Sequence, residues 1–296
     1  MFHTVYPLPV PLHSDTQSST QKPQADLRVV EATASAHPTT PPTTMSSDHV
    51  PSPNDVYAVR NILRSLKLPP ELVLSILAFA RYNPRVHAAR HENRSYRASS
   101  MPNHCVAGLY LCTPVIPVPH AGEGYDDFKI AAVTFALRSA DQGWGGDRGH
   151  GLYRGSWTWF EASILRRAAG VPEDGPVGDG IEHGMSHRLS EPAAARELLN
   201  ALGWDFAKSE DGKVAWTVQC NRVAHRAPVD HEVCWRRHEC RAKPEGDDDG
   251  KGDGAGFLEL MRPGDRVALW GRAQVRREER RCCVVLADRT ISFQAG

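Results

Sequence analysis

The chain has 296 residues, with 35 Lys plus Arg against 35 Asp plus Glu and a formal net charge of zero. Length alone fits about two domains, and the charge balance argues against a nucleic-acid or acidic-membrane binder, both of which need a basic surplus. Hydrophobic residues make up 41% of the chain, which fits a soluble protein carrying some unfolded length.

In chain order, Pro7, Pro9 and Pro11 interrupt an N-terminus without a basic leader, so neither a secretory signal nor a membrane span is expected there. Residues 1–54 are rich in Pro, Ser and Thr; a stretch such as HPTTPPTTMSSDHVPSPN buries too little apolar surface to offset its ordering entropy, so a disordered tail is predicted. Residues 55–104 read as a helical pair followed by a connector. Val56, Val59, Ile62, Leu63 and Leu66 recur at helical spacing. A second helix is predicted over 69–82, with Pro69 and Pro70 in its first turn, Glu71 at its positive end, and Leu72, Ile76 and Phe79 forming one face with Leu77 beside it. Asn83-Pro84 ends it, and 85–104 reads as a basic, polar connector.

From Cys105 to residue 296 the pattern becomes one of short strands. Val133, Phe135 and Leu137 alternate with Thr134, Ala136 and Arg138. Tyr153, Trp157 and Trp159 are expected on one face, and Val214, Trp216, Val218 and Cys220, then His231, Val233 and Trp235, continue the alternation. With CVAGLYLC, RVALWGRAQV and CCVVLADRTISF, about seven strands predict a mainly β protein built as an antiparallel β-sandwich or barrel, of which the sandwich is the expected form. Two insertions interrupt it, near 170–203 and 241–256. The first contains a predicted helix with Ser190 as N-cap, Pro192 in its first turn and Gly203 as C-cap; the second reads as a solvated acidic loop.

The seven cysteines are odd in number and form no CxxC, so reduced thiols and residence in the cytoplasm or nucleus are expected. Cys220, His225, His231, Cys234, His238 and Cys240 lack the spacing of a zinc finger or ribbon. Asp247, Asp248 and Asp249 are consecutive rather than alternating as a calcium loop requires. No metal or other cofactor is therefore assigned. Asp141, Asp147 or Glu161 beside His150 would make an acid–base pair, but no nucleophile or metal motif supports it, so no catalytic residue is assigned.

The most unusual segment is SADQGWGGDRGHGLYRGSWTWFEA, residues 139–162. As a ligand site it offers Asp141, Gln142, Trp144, Asp147 and Arg148 on a glycine-rich loop with an aromatic platform. As a structural corner, Asp141 and Gln142 cap a turn while Trp157 and Trp159 fill the core. The expected role is non-catalytic: loops of the β-domain bind a protein or glycan partner.

The run Leu68, Pro69, Glu71, Leu72, Ile76, Leu77 resembles the opening of an F-box, a helical module that docks on a cullin-ligase adaptor through exposed apolar residues; this implies Leu72, Ile76 and Leu77 as docking positions. The chain departs from that module after Pro84, where RVHAARHENRSYRASS lacks the apolar positions of further helices. Together with the GSWTWFEA and PGDRVALW blocks, the helix resembles a filamentous-fungal protein family covering about 70–290 and carrying no activity across. A more distant likeness is to the galactose-binding-like jelly roll of some F-box proteins, which implies a late strand carrying Arg266 and Trp270.

Overall fold

The computed structural model describes residues 51–80, 82–118, 129–141, 152–171, 181, 189–237, 249–274 and 283–295. The predicted tail falls outside them except for its last four positions. All described residues belong to one compact unit, Asp48–Gly296.

Helix α1 (Pro53–Ser65) starts two residues before the expected Asp55, because Ser52 and Asp55 form a capping box. The Ser52 hydroxyl accepts the Asp55 amide at 3.2 Å, and the Asp55 carboxylate accepts the Ser52 amide at 2.8 Å. Helix α2 (Pro70–Phe79) follows, shorter than the predicted 69–82.

The expected connector is not a connector. It forms β1 (Arg85–Arg90) and β2 (Arg94–Arg97), which pair antiparallel with successive halves of β10 (Cys283–Ala295). Backbone pairing makes these strands; their side chains bury only Ala88 and Tyr96. Tyr96 lies on Gly108, where a Cβ would sit 1.8 Å from its ring, and its hydroxyl donates to the Leu109 carbonyl at 3.1 Å.

The remaining strands are β3 (Cys105–Cys112), β4 (Ile130–Asp141), β5 (Thr158–Arg167), β6 (Trp204–Phe206), β7 (Trp216–Cys220), β8 (Val229–Arg236) and β9 (Arg266–Gln274). They form two five-stranded antiparallel sheets. The first runs β1-β10-β4-β8, with β2 also on β10; the second runs β3-β9-β5-β6, with β7 also on β5. A mainly β, antiparallel fold is therefore what the chain adopts.

The main core takes Val133, Phe135, Leu137, Val233, Trp235 and Ile291 from the first sheet and Val106, Tyr110, Phe160, Ile164, Val267 and Leu269 from the second. Phe135 and Phe257 meet the Trp235 ring edge-on at 5.0 and 4.9 Å. The other face of the second sheet is covered as well. Leu109, Leu165, Ala268 and Trp270 pack with Leu199, Trp204 and Phe206, brought there by the 3-10 turn Pro192–Ala195 and helix α3 (Arg196–Ala201). Gly203, at φ 81, follows that helix as its left-handed end. A half-buried fork secures the turn before β9: Arg166 donates to both oxygens of the buried Asp265, at 2.9 and 2.8 Å, and to the Leu260 carbonyl of α4 (Phe257–Leu260) at 2.8 Å. The Asp265 hydrogen bond holds the Arg166 pKa above its ordinary value, against the opposing effect of burial.

The expected face of β5 is corrected by one residue. Thr158, Phe160, Ala162 and Ile164 point into the main core, and Trp159 lies on the opposite face. There its indole donates to Glu161 at 2.8 Å and carries the Arg272 guanidinium 5.2 Å above its ring. Trp157 does pack against the main core, half-buried.

Candidate functional site

Of the five loop candidates, Gln142, Trp144, Asp147 and Arg148 lie outside the described residues, as does His150. Asp141 is buried at the end of β4. Its Oδ2 accepts the Ala224 amide at 2.9 Å and its Oδ1 the Thr158 hydroxyl at 3.3 Å. Asn221 donates to that hydroxyl at 3.0 Å, and Ser139 donates to Asn221 at 2.6 Å. Ala224 has φ 57, so the carboxylate stabilises a left-handed turn between β7 and β8 while tying β4 to β5. Asp141 thus faces the interior.

The helical pair places the other candidates. Val73 and Leu77 are the buried side of α2, at 0% and 5% exposure, whereas Leu72, Ile76 and Phe79 are 51%, 42% and 94% exposed. The predicted apolar stripe is thus real but faces outward, and Leu77 belongs to the buried side rather than to it. α2 is apolar nearly all round, so periodicity alone did not tell its covered side from its open one. Ile62 of helix α1 and Leu66 at its C-cap, one turn apart, add exposures of 59% and 66%.

A cleft of about 580 Å³ lies where the turn before β5 meets β7 and the 250–253 segment. That segment corrects the reading of the second insertion as a solvated loop, for its described residues lie against the protein. The amide of Cys220 donates to the Gly250 carbonyl at 2.7 Å, and that of Gly252 to Val218 at 2.9 Å. The Trp235 indole donates to the Gly252 carbonyl at 2.9 Å. Every second residue here is glycine, and at Gly250, Gly252 and Gly254 the strap runs too close for side chains. A Cβ on Gly252 would sit 1.7 Å from the Thr217 carbonyl oxygen, and one on Gly254 would sit 2.2 Å from the Trp235 ring. The alternation GKGDGAG is the sequence signal that would have revealed the strap.

Among the described residues no three His, Cys, Asp or Glu side chains are placed to hold a metal. His231 is buried edge-on against Tyr153 at 5.8 Å, and Cys234 accepts the Thr134 hydroxyl at 3.4 Å. His238 and Cys240 fall outside the described residues. Glu161 is held between Trp159 and Arg272, whose guanidinium lies 3.4 Å away. Arg266 and Trp270 do sit on β9, but both are interior: Arg266 donates to the Thr113 carbonyl at 2.6 Å and Trp270 to Ser163 at 3.0 Å. Comparison with family models, with curated proteins and with solved structures finds no match for the chain.

Proposed function

We propose that this protein is a non-catalytic adaptor: its helical pair docks on a cullin-ligase adaptor through an F-box-like face, and loops of its β-unit bind a protein or glycan partner. One observation carries the reading. Leu72, Ile76 and Phe79 line up on one side of α2 and are 51%, 42% and 94% exposed, within the run that resembles an F-box opening. Apolar side chains grouped in this way on a surface helix mark an interaction face. Their neighbours Val73 and Leu77 anchor the same helix from behind, so the stripe is presented on a fixed element. Where the F-box pattern would continue with further helices, this chain has the strands β1 and β2 at 85–97, so the docking module proposed here is the helix pair alone.

In this proposal the two antiparallel sheets stack as a β-sandwich of jelly-roll kind, the resemblance to filamentous-fungal proteins reflects common descent, and the protein works in the cytoplasm or nucleus. The test is capture of a purified cullin-ligase adaptor by the full chain. Phe79→Asp and Ile76→Asp are each expected to weaken capture while the melting temperature holds. Fully burying an apolar side chain of this size contributes roughly 1.5–3 kcal/mol, so each change lowers affinity by about ten-fold or more. Failure of the unaltered chain to capture the adaptor, or equal capture by both variants, refutes the docking role.

A further inference from the structure

We propose that the cleft beside β7 binds a small phosphorylated polyol, with Arg154 and Lys251 holding the phosphoryl group and Ser156, Thr217 and Asp253 meeting the hydroxyls. This site is independent of the adaptor role, which rests on a different element. At about 580 Å³ the cleft falls within the range of small-molecule sites, roughly 300–1,000 Å³, and has more room than an inorganic oxyanion needs.

Its lining is chemically divided. The two cations come from separate stretches of chain, Arg154 from the turn before β5 and Lys251 from the glycine strap. Two cations from different walls suit a phosphoryl group, whose three oxygens accept charge-assisted hydrogen bonds from several directions. Asp253 and Thr217 are exposed at the same cleft. A carboxylate repels a second anionic group but accepts from hydroxyls, so the ligand carries its charge at one end only. The Ser156 hydroxyl donates to the Thr158 carbonyl at 2.8 Å and accepts the Thr158 amide at 3.3 Å; a hydroxyl oxygen has two lone pairs, so one is left to accept from the ligand.

The walls are preformed. Tyr153, the apolar part of the lining, has Arg222 5.5 Å above its ring and His231 against its edge. Lys251 sits on a strap held to β7 on both sides; its amide donates to Asp249 at 3.0 Å, and its ammonium lies 3.9 Å from the same carboxylate, a loose ion pair that holds the side chain at the cleft and that a phosphoryl group would join. Little ordering is left for the ligand to impose.

Isothermal titration of the full chain tests this with glucose 6-phosphate, ribose 5-phosphate and glycerol 3-phosphate, set against glucose and inorganic phosphate. At least one phosphorylated polyol is expected to bind with Kd below about 1 mM. Glucose and inorganic phosphate should each bind about ten-fold more weakly or worse. Arg154→Gln and Lys251→Gln should each weaken the best ligand about ten-fold without lowering the melting temperature and without touching adaptor capture. Three results overturn the assignment. One is that no phosphorylated polyol binds below about 10 mM. Another is that inorganic phosphate matches the best of them. The last is that both variants retain the affinity of the parent chain.

Discussion

Replacing Gly252 by alanine adds a single methyl group where the strap crosses β7. The φ of Gly252 lies outside the left-handed region, so the cost is one of space: the new Cβ would meet the Thr217 carbonyl oxygen at 1.7 Å and its carbon at 2.7 Å. Both are backbone atoms of a paired strand and cannot rotate aside, so the strap must lift. Lifting strains or breaks three hydrogen bonds: Cys220 to Gly250, Gly252 to Val218, and the Trp235 indole to Gly252. At about 1 kcal/mol net for each, the loss is about 3 kcal/mol. For a folded unit of this size that lowers the melting temperature by about 6–12 °C. Gly155→Ala is the control, because Gly155 has φ 75 but nothing within 4 Å of an added Cβ; only the left-handed backbone penalty of about 1–2 kcal/mol applies. Thermal unfolding followed by circular dichroism measures both, and amide exchange at Cys220 and Gly252 reports the lifting directly. A Gly252→Ala protein that melts no lower than Gly155→Ala would show that the strap does not bear on β7.

Three further outcomes follow from the geometry. Asp141→Ala leaves the Ala224 amide and the Thr158 hydroxyl without their acceptor, so urea unfolding should show a loss of about 2–4 kcal/mol; a loss under about 0.5 kcal/mol contradicts the interior role of Asp141. Val73→Ala should cost about 1–2.5 kcal/mol and Leu72→Ala under about 1 kcal/mol, since their exposures are 0% and 51%; the reverse order contradicts the orientation of α2. Acid should also destabilise the fold. Glu92 is held below its ordinary pKa by Arg94 and Arg90, and Asp211 by the Ser209 hydroxyl. For Asp205, burial pushes the pKa up, but hydrogen bonds from Arg196 and the Phe206 amide bring it below its ordinary value. A carboxylate whose folded pKa is depressed stabilises the fold above its unfolded pKa, and that contribution disappears as pH falls through the folded one. The urea midpoint should therefore drop below about pH 4, and a midpoint constant from pH 5 to about pH 3 contradicts these pairings.

The legible parts of the fold are those in which burial is one-sided. Val133, Phe135 and Leu137, and again His231, Val233 and Trp235, face the core from strands whose alternate residues are polar, and all six are buried. β5 misled because its sheet is covered on both faces, which puts large apolar side chains on both sides of GSWTWFEA and removes the alternation. β1 and β2 were invisible because RVHAAR and RSYR owe their strand form to pairing with a partner almost two hundred residues away, a relation that no local pattern carries. The F-box-like run was legible as a motif, whereas the outward aim of its stripe depends on what packs behind α2. The cleft was missed because its residues come from three separate segments of modest composition, joined only by the strap.

The position of β10 has a consequence for how the protein comes into being. It follows all the other described strands in chain order, yet it lies in the middle of its sheet, with β4 on one side and β1 and β2 on the other. Until it arrives, β4 and the 85–97 segment expose unpaired edges towards one another. Such long-range pairing is slow to form, so the nascent protein passes through a stage with two open strand edges, the kind of surface that invites aggregation and chaperone capture.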